Sequence, residues 1–247
     1  MEEEVFSPKR RRGIYLLPNL FTTAALFAGF YAITAALNQR FELAAIAIFV
    51  AMILDGLDGR VARLTNTQSA FGAEYDSMAD MLSFGAAPAL VLYVWSLSAL
   101  GKLGWVAAFV HTAGGALRLA RFNTQIATAD KRYFQGLPSP SAAAILAGLV
   151  WLSVEQGLDG VTMRYLALTL SLATGLLMVS NFRYYSFKDV DLRGPVPFVR
   201  AIFVMLLFAI LFFHPPLMLF AFFTTYAISG PVVTLMKLRR RRGERRA

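Results

Sequence analysis

The chain has 247 residues, 57% of them hydrophobic, with a mean hydropathy of +0.56 and a formal net charge of +9. That composition excludes an ordinary soluble domain, and the absence of cysteine excludes a disulfide framework and thiol chemistry. In so apolar a chain the positive charge reads as membrane anchoring and attraction to anionic headgroups, not as nucleic-acid binding.

In chain order, a tail over residues 1–12 turns from acidic to basic at Lys9–Arg12 and lacks the small-residue exit of a cleavable signal. Eight apolar spans are then expected, over about 14–37, 41–60, 77–98, 103–120, 141–157, 162–180, 198–213 and 216–236. A basic tail closes the chain over 237–247. Residues 13–236 therefore read as one polytopic, all-α membrane bundle of about eight transmembrane helices. Lys and Arg crowd alternate connections: the first tail, then Arg60 and Arg63, then Arg118, Arg121, Lys131 and Arg132, then Arg183, Lys188, Arg193 and Arg200, then the last tail. This alternation predicts both termini in the cytoplasm.

The second and third spans carry the most informative pattern. Asp55, Asp58, Asp76 and Asp80 interrupt two greasy runs, AAIAIFVAMIL before and MLSFGAAPALVLYVW after. Ionised carboxylates at bilayer depth cost kilocalories unless compensated, so they mark function by default. A pair of hard divalent cations is the simplest compensation. Asp55 and Asp58 are three apart and share a helix face; Asp76 and Asp80 are four apart and share another. Gly59 and Gly72 leave bare backbone for a close approach. Arg63 adds a planar cation suited to phosphate. Together these are the parts of a two-metal site for phosphoryl transfer, on the cytoplasmic side where a nucleotide is available.

The full pattern, D-x-x-D-G-x-x-A-R-x8-G-x-x-x-D-x-x-x-D from Asp55 to Asp80, resembles the signature of the CDP-alcohol phosphotransferases. The resemblance implies transfer of a phosphatidyl or related group from a CDP-linked donor to an alcohol, with release of CMP. It implies two divalent cations, Mg or Mn, one among Asp55, Asp58 and Asp76 and the other among Asp55, Asp76 and Asp80. It assigns the general base to Asp80, and it implies a homodimer. Gly59, Arg63 and Ser69 match positions that meet the CDP moiety in the family, as do Asn19 and Thr22 in Pro18-Asn19-Leu20-Phe21-Thr22. For Asn19 a helix cap after Pro18 is the competing reading, and for Ser69 a solvated loop serine. Neither histidine lies near the motif in sequence, so direct displacement is expected.

Three further segments bear on the alcohol: Met81-Leu82-Ser83-Phe84-Gly85-Ala86-Ala87-Pro88, Ala116 to Asn123, and Phe134-Gln135-Gly136-Leu137-Pro138-Ser139-Pro140. With the catalytic motif they resemble the membrane-embedded type of phosphatidylserine synthase, over about residues 13–145. That implies CDP-diacylglycerol as donor, L-serine as acceptor and membrane lipids as surroundings. Arg118 and Arg121, three apart, are candidates for the serine carboxylate, or they simply obey the positive-inside bias. Ser83, Phe84 and Asn123 either line the acceptor pocket or pack. A sister enzyme using glycerol 3-phosphate or an inositol phosphate is the nearest alternative. A divalent-cation transporter is the remote one, which would need carboxylates across the full membrane depth.

Overall fold

The computed structural model describes residues 16–125, 133–185, 205 and 213–244. They form a helical bundle with one short β ladder. Helix α1 (Leu16–Leu37) turns back at Gln39, which has φ 59°, into α2 (Phe41–Leu64). A rod follows, made of α3 (Ala70–Asp80), a π-helical turn over Met81–Ala86 and α4 (Ala87–Trp95). Next come α5 (Lys102–Gln125), α6 (Ser139–Glu155), α7 (Arg164–Val179) and α8 (Pro215–Glu244). Strand β1 (Tyr133–Gln135) pairs antiparallel with β2 (Arg183–Tyr185), with Phe134 opposite Tyr184.

The core is made largely of small residues. Ala32, Ala44, Ala45 and Ala51 are almost fully buried where α1 meets α2, while Phe27, Phe30, Ile53, Trp105 and Phe109 lie exposed on the outside. This inside-out size pattern is that of a bundle in lipid, where close backbone approach replaces hydrophobic drive and large apolar side chains face the tails. The same logic brings α5 against α7. A Cβ at Gly114 would meet the Gly175 carbonyl oxygen at 2.5 Å, and one at Gly175 would meet that of Val110 at 2.7 Å. Only hydrogen fits at either position.

By length and composition, 17–37, 70–95 and 215–236 can each cross a membrane, and α6 and α7 are shorter apolar helices. The expected seventh span, 198–213, lies outside the described residues except for Met205 and Phe213. So do the tail 1–12, Lys131, Arg132, Lys188, Arg193 and Arg200. Two boundaries differ from expectation. The third span begins at Ala70, seven residues before 77, because the Ser69 side chain accepts a hydrogen bond from Gly72 N and caps the helix there. The last helix, expected as a span over 216–236, runs on through the basic stretch as far as Glu244.

The π turn has a sequence cause. Pro88 has no N–H to offer the Phe84 carbonyl one helical turn earlier, and its ring crowds that carbonyl. The backbone widens instead, and Ala87 N–H reaches Leu82 O, five residues back.

Candidate active site

Asp55 and Asp58 stand near the end of α2, and Asp76 and Asp80 face them from α3. One carboxylate oxygen from each of Asp55, Asp76 and Asp80 lies within 4.8 Å of the other two. Oxygens on opposite sides of a Mg²⁺ ion stand about 4 Å apart, so this triplet can hold a divalent cation. Asp76 Oδ1 is buried and has no hydrogen-bond partner, which fits a role as a metal ligand. The carboxyl groups of Asp55 and Asp80 also approach to hydrogen-bonding range, as do those of Asp58 and Asp76. Two ionised pairs at that separation require a proton or a cation between them.

Asp58 is held differently from the triplet. It is 5% exposed, and Thr22 Oγ1 donates to its Oδ2 at 2.7 Å. Thr22 is thereby tied to the acidic cluster as well as to the donor side.

An open-mouthed cavity adjoins the carboxylates. All five residues expected to meet the CDP moiety line it: Asn19, Thr22, Gly59, Arg63 and Ser69, together with Asp58 and Asp76. The Arg63 guanidinium folds back over Gly59, lying 3.5 Å from where a Cβ would stand. Ser69 Oγ and Asn19 Oδ1 converge on Gly72, 3.1 and 3.4 Å from the corresponding point there. The start of α3 opens into this cavity through Ser69, Gly72 and Ala73, and helix N-termini favour phosphate. Ser69 remains exposed at the cavity wall, and its Oγ accepts from Gly72 N as the cap of α3. Asn19 does not cap α1, which already runs from Leu16.

The five acceptor candidates separate. Ser83 is buried and donates to Ala25 O of α1 at 3.1 Å, and Phe84 is fully buried in the main core; neither lines the cavity. Arg118 is half-buried, with Asp80 and Tyr226 within electrostatic reach. Its Nη1 donates to Ser139 Oγ at 2.9 Å, and its Nε is buried without a partner. Arg121 turns away, with Nη1 3.4 Å from Ser180 O and 3.5 Å from Asn181 Oδ1. The two arginines therefore do not face one ligand, because their partners sit on different elements. Asn123 donates from Nδ2 to Ser77 Oγ at 3.0 Å, beside Asp76.

Sequence reasoning missed Tyr226, Ser139 and Ser77. Tyr226 lies in an apolar span far from the motif, and only tertiary contact brings it to Arg118. Thr67 and Gln68, also in the cavity wall, directly precede Ser69 and could have been read with it.

A family model described as CDP-alcohol phosphatidyltransferase matches residues 15–180, about two thirds of the chain. The chain belongs to the CDP-alcohol phosphatidyltransferase family. It is similar to a Helicobacter pylori CDP-diacylglycerol–serine O-phosphatidyltransferase, 40% identical over 218 residues, covering 88% of this chain and 90% of that protein. A Mycobacterium tuberculosis protein of the same name is 41% identical over 182 residues, covering 70% of this chain and 63% of the relative. One from Methanocaldococcus jannaschii is 38% identical over 142 residues, 58% of this chain and 63% of the relative. The phosphatidyltransferase match ends before α8, so Tyr226 lies outside it.

Proposed function

We propose that the protein transfers the phosphatidyl group of CDP-diacylglycerol to the hydroxyl of L-serine and releases CMP. The observation that carries this reading is the convergence of three carboxylate oxygens, from Asp55, Asp76 and Asp80, beside a cavity lined by Arg63 and the start of α3. The relatives' shared name supports serine as the acceptor.

In this reading Arg63 and the first turn of α3 hold the pyrophosphate. Asn19 and Ser69 bound the nucleotide side of the cavity, and Thr22 fixes the rotamer of Asp58. Asp80 accepts the proton of the serine hydroxyl as its oxygen bonds to the phosphatidyl phosphorus. The bond from that phosphorus to the bridging oxygen breaks, and the electron pair leaves on CMP. Arg118, within electrostatic reach of Asp80 and with an unpaired buried Nε, holds the serine carboxylate. Asp55, Asp58, Asp76 and Asp80 would hold two divalent cations, Mg or Mn, which when bound neutralise the pyrophosphate charge and orient the reacting oxygens. The alternation of basic connections supports a site at the cytoplasmic face of an inner membrane. Residues 13–236 form the catalytic membrane domain, and the working unit is a homodimer.

CMP release from CDP-diacylglycerol, with each alcohol added in turn, tests the proposal. Turnover with L-serine is expected. Turnover with glycerol 3-phosphate or an inositol phosphate, and none with serine, would reassign the acceptor.

A further inference from the structure

His111 of α5 is fully buried, and both ring nitrogens are engaged. Nε2 lies 3.2 Å from Phe84 O in the π turn, and Nδ1 lies 2.8 Å from Thr174 Oγ1 of α7. A carbonyl can only accept, so a neutral imidazole bonded to it carries its proton on Nε2; Nδ1 then accepts from Thr174, whose single proton turns from Leu170 O, 2.8 Å away, to the ring. Phe84 O is the carbonyl that Pro88 deprives of its helical donor, so the imidazole supplies what the sequence has removed. Thr112 Oγ1 shares its single proton between Ala108 O of its own helix at 3.0 Å and Gly85 O of the π turn at 3.3 Å. On the other side of Asp80, Asn123 of α5 holds Ser77. Helix α5 thus fastens the rod both before and after Asp80. It is itself fixed against α7 by the Gly114–Gly175 contact next to Thr174.

We propose that His111, backed by Thr174, is the positioning residue that sets the rotation and height of the Asp76–Asp80 helix against Asp55 and Asp58. It touches no substrate; it acts through the π turn that begins at the residue after Asp80. Without its N–H the Phe84 carbonyl turns toward another donor, and the α3 carboxylates move out of register with those of α2. The inference rests on the transferase reading of the aspartate cluster.

The test compares purified full-length wild type, His111→Leu, His111→Gln and Thr174→Val in detergent. One readout is Mn²⁺ affinity by electron paramagnetic resonance without substrate; the other is kcat and KM for CMP release. His111→Leu is expected to weaken Mn²⁺ binding about tenfold, as loss of a ligand-orienting contact does. It should lower kcat about 10- to 100-fold, the effect of a small misplacement, while the donor KM stays within about threefold. His111→Gln can still donate to Phe84 O, and should restore Mn²⁺ affinity and at least about a third of kcat. Wild-type Mn²⁺ affinity and kcat in His111→Leu would overturn the proposal. So would equal impairment in the Gln and Leu variants, which would assign His111 to packing alone. If His111→Leu does not give monodisperse protein, Thr174→Val decides on the same readouts: weakened Mn²⁺ binding supports the proposal and wild-type binding overturns it. Should wild type bind Mn²⁺ but release CMP with no alcohol, the transferase reading fails while the Mn²⁺ comparison still decides the role of His111.

Discussion

An Asp80→Asn substitution keeps the size of the side chain and removes its capacity to accept a proton. Transfer should fall by about 10² to 10⁴, the usual contribution of a general base, with folding and donor binding retained; CMP release and a donor-binding assay measure the two. The arginines of α5 make a sharper case, because the structure separates what the sequence joined. Arg118→Ala should raise the KM for serine more than that for CDP-diacylglycerol, since Arg118 lies within electrostatic reach of Asp80. Arg121→Ala should leave the serine KM near wild type, since its guanidinium faces Ser180 and Asn181. Their spacing in sequence was legible, but their partners lie on other elements and no local pattern announces them. The donor side was better written into the chain: Asn19, Thr22, Gly59, Arg63 and Ser69 all reach one cavity. For Gly59, Arg63 and Ser69 two helix termini and a short turn fix the offsets, so spacing nearly determines their geometry; Asn19 and Thr22 come from α1 and reach the cavity through tertiary packing.

The informative elements are the ones whose sequence breaks a rule. Helix α3 starts early because Ser69 caps it, and the rod widens after Asp80 because Pro88 lacks an N–H. Both signals are local and readable once the element is known. The α5–α7 contact is not readable in that way, because each glycine alone is compatible with any helix surface. Gly175→Ala places a Cβ 2.7 Å from Val110 O and 3.0 Å from the Cα of His111. The colliding atoms are backbone, so the helices must part, at a cost of about 1–3 kcal/mol. A lower thermal midpoint in detergent, with weaker Mn²⁺ binding, is the expected result. At Gly72 the neighbours are the side chains of Ser69 and Asn19. Gly72→Ala should therefore leave stability close to wild type and raise the donor KM.

For the whole molecule, buried alanines and exposed phenylalanines declare a bundle in lipid, as hydropathy and composition had indicated. The aspartate hairpin and Arg63 give this otherwise apolar protein a charged cavity wall. Such a site cannot work on its carboxylates alone, since nothing but a cation or proton can separate oxygens so placed. A chelator should abolish CMP release, and Mg²⁺ or Mn²⁺ should restore it. Locating Mn²⁺ by anomalous scattering, in crystals grown with a CDP-diacylglycerol analogue, tests the account most directly. The account predicts Mn²⁺ between α2 and α3, within bonding distance of Asp55, Asp76 and Asp80, with the pyrophosphate toward Arg63. Mn²⁺ bound elsewhere, or a pyrophosphate seated away from these carboxylates, would contradict it.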